Sequence, residues 1–231
     1  MVLQPRRSAS LSTLGIVIPA LNAAAGLAAC LDALAGQAGD IVVVDGGSRD
    51  ATRTIALAHG ARLVDSPPGR GRQLATGAKA ARGDWLLFLH ADTVLVPGWT
   101  DAVAEFLPEP TDRAGYFRLS FDQDGGGAAR VSCLANWRAR VFGLPYGDQG
   151  LLIHRDFYQV LGGYPDEPLM EDVILVRRIG RGRLTQLSAT ARTSAVRYRR
   201  DGWWLRPLRN LACLTLFFMG LPPRLIARLY A

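Results

Sequence analysis

Cysteine is scarce and scattered in this chain. Cys30, Cys133 and Cys213 are far apart, odd in number and set in apolar surroundings, which excludes a disulfide framework and any zinc-ligand spacing. A reducing cytosol suits such a sequence. Long apolar runs are missing as well. The uncharged apolar run of the tail, from Leu211 to Pro223, falls well short of the roughly 20 residues that a spanning helix needs. The start, MVLQPRRSAS, carries two arginines, but a short strand-like run follows it instead of a signal-peptide core with a small-residue cleavage site. Secretion is not expected, and the protein is expected in the cytoplasm, lying on a membrane at most.

Acid is what the C-terminal quarter lacks. Residues 177–231 hold twelve arginines against Asp201 alone, a balance of +11, whereas residues 1–176 hold 15 basic and 19 acidic side chains, a balance of −4. The tail is therefore a separate electrostatic object. Such an end can meet nucleic acid, an anionic membrane or a phosphorylated ligand, and total charge does not choose among them. Trp203, Trp204, Leu205 and the run Leu211 to Met219 interleave with the arginines and favour the inner face of the cell membrane over nucleic acid. The lesser alternative for the same run is a core helix or a homodimer interface.

What is present is ample core material. Of 231 residues, 49% are hydrophobic and 20% charged, enough for a single α/β core. Strand-like runs at Leu14 to Ile18, Ile41 to Val44, Arg62 to Val64 and Trp85 to Leu89 alternate with helical patterns at Ala24 to Ala35, Asp50 to His59 and Arg72 to Arg82. Uninterrupted apolar runs suit strands covered on both faces, and the βαβαβ order implies a mostly parallel sheet with its ligand edge at the strands' C-terminal ends. A helix at Trp99 to Leu107, a period-two strand at Tyr116 to Phe121, a flexible stretch at Asp122 to Gly127, a helix ending near Phe142 and a strand at Leu151 to Ile153 follow.

Four segments are placed to carry chemistry. In Ile16-Val17-Ile18-Pro19-Ala20-Leu21-Asn22, a buried strand ends in proline, which turns the chain out and exposes backbone to a ligand; Asn22 could instead cap the next helix. In Val42-Val43-Val44-Asp45-Gly46-Gly47-Ser48, Asp45 leaves the second strand where a carboxylate can hold a base or ribose, and Gly46 and Gly47 permit close approach. Ser48 or Asp50 would serve as a cap there. His90-Ala91-Asp92 puts an imidazole and a carboxylate two residues apart past a strand, where they could share a divalent cation or form a simple turn hydrogen bond. Glu171-Asp172 opens a helical stretch, which the helix dipole alone would explain, yet the pair is also the best available source of a general base.

Taken in order, IVIPALN, VVDGGSRDAT, GDWLLFLHADT and GDQGLLIHRDFYQVLGGYPDEPLMEDV resemble the inverting glycosyltransferase family two, with its GT-A fold, over roughly Leu14 to Arg178. The short length and the HADT and LMED wording look like a compact bacterial subgroup. The resemblance implies a GT-A Rossmann-like domain over residues 1–200, its mostly parallel central sheet flanked by helices. It leaves residues 201–231 as an amphipathic helical tail, packed on the domain or at a membrane surface. It implies that Pro19, Ala20, Asn22, Asp45, Gly46, Gly47 and Ala91 line the donor nucleotide, and that Asp92 holds Mn2+ or Mg2+ on the donor diphosphate. Gly147, Asp148 and Gln149 would border the acceptor, and Asp172, paired with Glu171, would be the catalytic base. Two departures stand out. Ala23 follows Asn22 where the family usually has glutamate, and His90 replaces the first aspartate of the DxD motif, putting a ligand of softer preference at the metal.

The reaction so implied is transfer of a sugar from a nucleotide-sugar, UDP-linked in preference to GDP-linked, to an acceptor hydroxyl with inversion. Arg70 or Arg72, from the loop around Gly69 to Gly71, would help stabilise the departing diphosphate, with Gln73 a further donor contact. The alternatives are a nucleotidyltransferase, which would want a basic residue in PALNAAAG, and a non-catalytic nucleotide-binding module, against which Glu171-Asp172 argues.

Overall fold

The computed structural model describes residues 11–230, so Arg6 and Arg7, and the expectation built on them, lie outside the described residues. Four parallel strands form the first half of the sheet: Leu14–Ala20 (β1), Asp40–Asp45 (β2), Arg62–Asp65 (β3) and Trp85–Phe88 (β4). They are joined by helices Ala24–Asp32 (α1), Thr52–Ala58 (α2) and Arg70–Ala80 (α3). Alternation along β1 explains why the run is apolar throughout. Leu14, Ile16 and Ile18 pack with Leu27, Cys30 and Leu31 of α1, whereas Val17, with Val42 and Val44 of β2, packs with Leu74 and Ala78 of α3. Both faces of the sheet are thus covered, as a parallel α/β sheet requires.

The second half is mixed. After the short strand Thr93–Leu95 (β5) and helix Trp99–Phe106 (α4) come Ala114–Phe121 (β6), the long helix Gly126–Phe142 (α5) and Leu151–His154 (β7). Helices Arg155–Val160 (α6) and Glu171–Ile179 (α7) precede Leu184–Thr193 (β8). The full order is β3-β2-β1-β4-β7-β6-β8-β5. Strand β7 runs antiparallel to both β4 and β6, β6 pairs in parallel with β8, and β5 closes the edge antiparallel to β8.

Strands β5 and β8 are additions to the sequence reading. In β8 the buried positions Leu187, Ala189, Ala191 and Thr193 recur with the strand period of two, but alanine and threonine make a faint apolar stripe. The stretch expected to be flexible, 122–127, is pinned at its start. The backbone N–H of Asp122 donates to Thr193 O, and the Asp122 carboxylate accepts from the backbone N–H of Ala195 at 2.8 Å.

Beyond β8 the chain continues as helices Val196–Asp201 (α8), Leu205–Phe218 (α9) and Pro223–Tyr230 (α10). One side of α9 is docked: Leu214 packs with Val173 and Val176 of α7, and Phe217 lies against the same cluster.

Candidate active site

Strand order decides where a ligand can sit. Connections diverge at β1, with β2 on one side and β4 on the other, so a crevice opens outside their C-terminal ends. Because β7 is antiparallel to β4 with Phe88 opposite Leu151, the residues just before Leu151 come to lie beside those just after Phe88. Gly147 and Asp148 are thereby brought to His90 and Asp92, although more than fifty residues separate them in sequence. Strand β8, in register with β5 at Thr93 and Thr193, adds Thr193 and Ser194 to the same edge.

The result is a cavity lined by His90, Asp92, Asp148 and Asp172. Arg70 and Arg197 bring positive charge to its wall, and Arg206, Asn210 and Cys213 of α9 line it as well. Asp172 is held by one oxygen: Oδ2 accepts the backbone N–H of Gly147 at 3.1 Å. Its other oxygen, Oδ1, is buried and has no hydrogen-bond partner among the described residues. Burial, and then the neighbouring Glu171 carboxylate, push the Asp172 carboxyl up to about 7. A carboxylate that binds a proton near neutral pH, with a lone pair left open, has the properties of a general base.

Glu171 is fully buried at the start of α7 and its carboxylate is paired with Arg70 Nε. It is a structural anchor for that arginine, and it does not line the cavity. The approach of α3 that permits the pair depends on Gly71, where a Cβ would stand 2.2 Å from Pro165 O. Burial would favour a neutral Arg70, but Glu171 and Asp172 hold its pKa above the ordinary arginine value, so the guanidinium stays charged. Met170, immediately before the pair, takes φ 66°, a left-handed conformation uncommon for a side chain of this size.

His90 is neutral, because burial first, and then Arg70 and Arg197, lower its pKa well below the usual imidazole value. Its Nε2 is buried without a partner among the described residues, as is Asp148 Oδ1. Burial first, then Asp92, raise the Asp148 carboxyl, against the pull of Arg138. Gly147 is fitted tightly between these groups. A Cβ there would lie 2.4 Å from His90 Nε2 and 2.7 Å from Asp172 Oδ2, so only glycine lets imidazole and carboxylate face one cavity at this spacing.

No cluster of three or more His, Cys, Asp or Glu side chains suited to a metal ion occurs among the described residues. The donors that are present, an unpaired neutral imidazole nitrogen and the Asp92 carboxylate, suit a cation whose remaining ligands come from substrate phosphates and water. On that test a diphosphate-bridged divalent cation fits these residues.

The other residues singled out in sequence divide into two groups. Pro19 and Ala20 end β1 and are buried. Asp45, at 1% exposure, accepts the backbone N–H of Ser48 and pairs with Arg53 at 2.9 Å. Burial would raise its pKa, but Ser48 and Arg53 hold it below the usual carboxylate range. Asn22, at φ 50°, accepts the backbone N–H of Arg49 at 2.9 Å, while its own N–H donates to Ser48 Oγ. Asn22 does not cap α1; it fastens the β1 and β2 loops to one another.

Two more of these side chains are similarly engaged. The Gln73 amide nitrogen donates to Ala20 O at 2.8 Å and to Val44 O at 2.9 Å, clamping the ends of β1 and β2 beside Gly46. The Gln149 amide nitrogen donates to Phe117 O at 3.2 Å, tying the turn before β7 to β6. Arg72 pairs with Asp166 at 2.6 Å, away from the cavity, so of the two arginines considered Arg70 is the one that reaches it. Gly47, at φ 94°, and Ala91 remain near the crevice without lining the cavity.

Sequence reasoning missed Tyr146, Thr193, Ser194, Tyr198 and the α9 residues as cavity wall. The faint alternation of β8 was the available signal for Thr193; the remainder depend on how the tail folds back.

Comparison with known proteins accords with this geometry. A family model described as Glycosyl transferase family 2 matches residues 15–171. A PGL/p-HBAD biosynthesis glycosyltransferase of Mycobacterium bovis is 46% identical over 110 residues, which cover 42% of this chain and 43% of that protein. A glucosyl-3-phosphoglycerate synthase of Mycobacterium tuberculosis is 32% identical over 95 residues, covering 36% and 29%. The match thus spans less than half the length of these curated relatives. The crystal structure of the Mycobacterium tuberculosis glucosyl-3-phosphoglycerate synthase with Mn2+ and UDP-glucose is similar in fold. It superimposes with a TM-score of 0.61 at 20% identity, over 96% of this chain and 86% of that one.

Proposed function

The chain belongs to glycosyl transferase family 2, and from that membership we propose that it moves a sugar from a UDP-sugar to an acceptor hydroxyl with inversion at the anomeric carbon. The observation that carries the reading is Asp172. Asp172 lines the same cavity as His90 and Asp92, its Oδ1 is buried without a partner among the described residues, and its carboxyl is raised to about 7.

Asp172 Oδ1 takes the proton from the acceptor hydroxyl as that oxygen bonds to the anomeric carbon. The bond from that carbon to the diphosphate breaks on the opposite side, which inverts the configuration. Gly147 N–H keeps Asp172 oriented by occupying Oδ2, so the proton is directed to Oδ1. Arg70, fixed by Glu171, presents a permanent positive charge to the departing diphosphate. A divalent cation, Mn2+ or Mg2+, held by Asp92 and His90 would supply further charge to the same oxygens. Neutral His90 offers a lone pair at Nε2 for that role in its Nδ1–H tautomer.

The β1 and β2 loops, fastened by Asn22, Ser48 and Asp45, form the nucleotide side of the crevice, with Gly46 and Gly47 admitting the base and ribose close to the backbone. Gly147 and Asp148 border the acceptor. We assign residues 201–231 to a tail that completes the acceptor wall of a transferase domain over residues 1–200. The UDP preference draws on the glucosyl-3-phosphoglycerate synthase, which binds UDP-glucose with Mn2+. Thermal shift of the purified protein against UDP-, GDP- and dTDP-sugars, each with and without Mn2+ or Mg2+, tests the reading. A metal-dependent rise with UDP-sugars alone is expected. A shift with none of the three nucleotides would overturn it.

A further inference from the structure

Helix α9 has two faces with different surroundings. Arg206, Asn210 and Cys213, spaced four and three apart and so on one side of the helix, line the cavity. The other side is exposed and apolar: Trp204 (65% exposed), Leu205 (72%), Leu208, Leu211, Phe218 and Met219 (72%). The spacing places these six on one continuous stripe along the helix. Soluble monomers rarely leave so long an apolar stripe uncovered.

Positive charge frames the stripe at both ends. The Arg130 guanidinium lies 3.6 Å over the Trp204 ring, and that of Arg177 lies 5.0 Å from the Phe218 ring. The next helix, α10, repeats the pattern: exposed Leu225 and Leu229 each follow an arginine, Arg224, which pairs with Glu167 at 3.7 Å, and Arg228. The only acid of residues 177–231, Asp201, is taken up internally by Arg200 at 2.7 Å and Arg206 at 2.5 Å. The face therefore offers apolar area flanked by cations in excess of acid. A second copy meeting it about a two-fold axis would bring like charges together, whereas an anionic lipid surface complements it. No helix among the described residues is long and apolar enough to cross a membrane.

We propose that the exposed face of α9 and α10 seats on an anionic bilayer, and that the acceptor hydroxyl belongs to a molecule carried at that surface. The same helix walls the cavity on its other side, so seating α9 brings the cavity within one helix diameter, ~10 Å, of the lipid headgroups. This rests on the glycosyl transfer proposed above, but the surface and the chemistry can fail separately.

The experiment is flotation of the full chain with phosphatidylcholine vesicles, with and without phosphatidylglycerol, at low and high salt. It is paired with UDP-sugar hydrolysis in the absence of vesicles. The wild type is expected to float only with the anionic vesicles and to be released by salt. The L208Q/L211Q double variant, changed only on the exposed face, is expected to lose about tenfold of its vesicle-bound fraction with hydrolysis unchanged. Transfer of labelled sugar into an organic-solvent extract of membranes should fall in parallel. Wild type that hydrolyses UDP-sugar but stays off anionic vesicles would overturn the proposal. So would a solution dimer, seen by light scattering, that L208Q/L211Q dissociates. Loss of UDP-sugar hydrolysis by the wild type would instead refute the underlying transfer reaction, whatever the vesicles do.

Discussion

Replacing Asp172 by asparagine should abolish transfer and, at alkaline pH, stabilise the fold. The folded carboxyl is raised from 3.8 to about 7, with burial the leading cause and Glu171 the next. In the unfolded chain the same group loses its proton near pH 4. Between those two values the unfolded state is the one that releases the proton more readily, so stability falls as pH rises from about 4 to about 7. Above that the cost is complete. At 1.36 kcal/mol per pKa unit it amounts to ~4 kcal/mol at pH 8 and only ~1–2 kcal/mol at pH 5. Asparagine has the same shape, can keep the Gly147 hydrogen bond, and cannot ionise. Relative to wild type it should gain ~2–3 kcal/mol more at pH 8 than at pH 5, or about 5–10 °C in Tm for a chain of this size. Scanning calorimetry of both proteins at the two pH values measures that difference. Transfer should drop by about 10²–10⁴, and the wild-type kcat/KM should climb with pH to a plateau above about 7. A Tm difference equal at both pH values, or larger at pH 5, would refute the burial argument. Retained transfer in the variant would remove Asp172 from the mechanism.

Arg70→Ala leaves the fully buried Glu171 without its partner and should destabilise the fold by about 3 kcal/mol, read as a shift in the urea midpoint. Arg70→Lys should recover part of the stability but less of the transfer rate. Gly147→Ala forces a methyl against His90 Nε2 and Asp172 Oδ2, both under 3 Å away; kcat is expected to fall by at least about tenfold while UDP affinity, by calorimetric titration, changes little. Gln73→Ala removes two hydrogen bonds that join the ends of β1 and β2 and should cost about 1–3 kcal/mol, with weaker UDP binding as the loops separate. Chelation with EDTA should suppress the thermal shift produced by UDP-sugars, and added Mn2+ should restore it. In His90→Ala the Mn2+ concentration needed for restoration should rise by about 10–100-fold.

Much of this protein was legible from local pattern. Unbroken apolar runs such as Ile16 to Ile18 and Val42 to Val44 determine buried parallel strands, because only a strand covered on both faces tolerates apolar residues at every position. Three of the four motif segments follow a strand end where backbone becomes available, whereas the fourth, Glu171-Asp172, opens α7. The twelve arginines against one acid fixed the tail's electrostatic character without reference to any fold. Sequence did not separate residues that face ligand from residues that hold the frame. Asn22, Gln73 and Gln149 are polar groups at the right places, yet each has its hydrogen bonds committed to backbone, and that commitment exists only once distant strands are adjacent.

Tertiary structure decided the rest. The antiparallel insertion of β7 beside β4 sets Gly147 against His90 and Asp172, a contact between three separate segments that no local period encodes. Strand β8 was hidden because its buried face is built from alanine and threonine, whose apolar signal is weak until β6 and β5 flank it. Asp172 owes its raised carboxyl to burial and to the neighbour that Arg70 anchors; a Glu-Asp pair in an exposed helix would titrate as ordinary acid. The two faces of α9 follow the same rule. The sequence sets the helical spacing of its leucines and arginines, but docking on α7 determines which face becomes cavity wall and which is left for another surface.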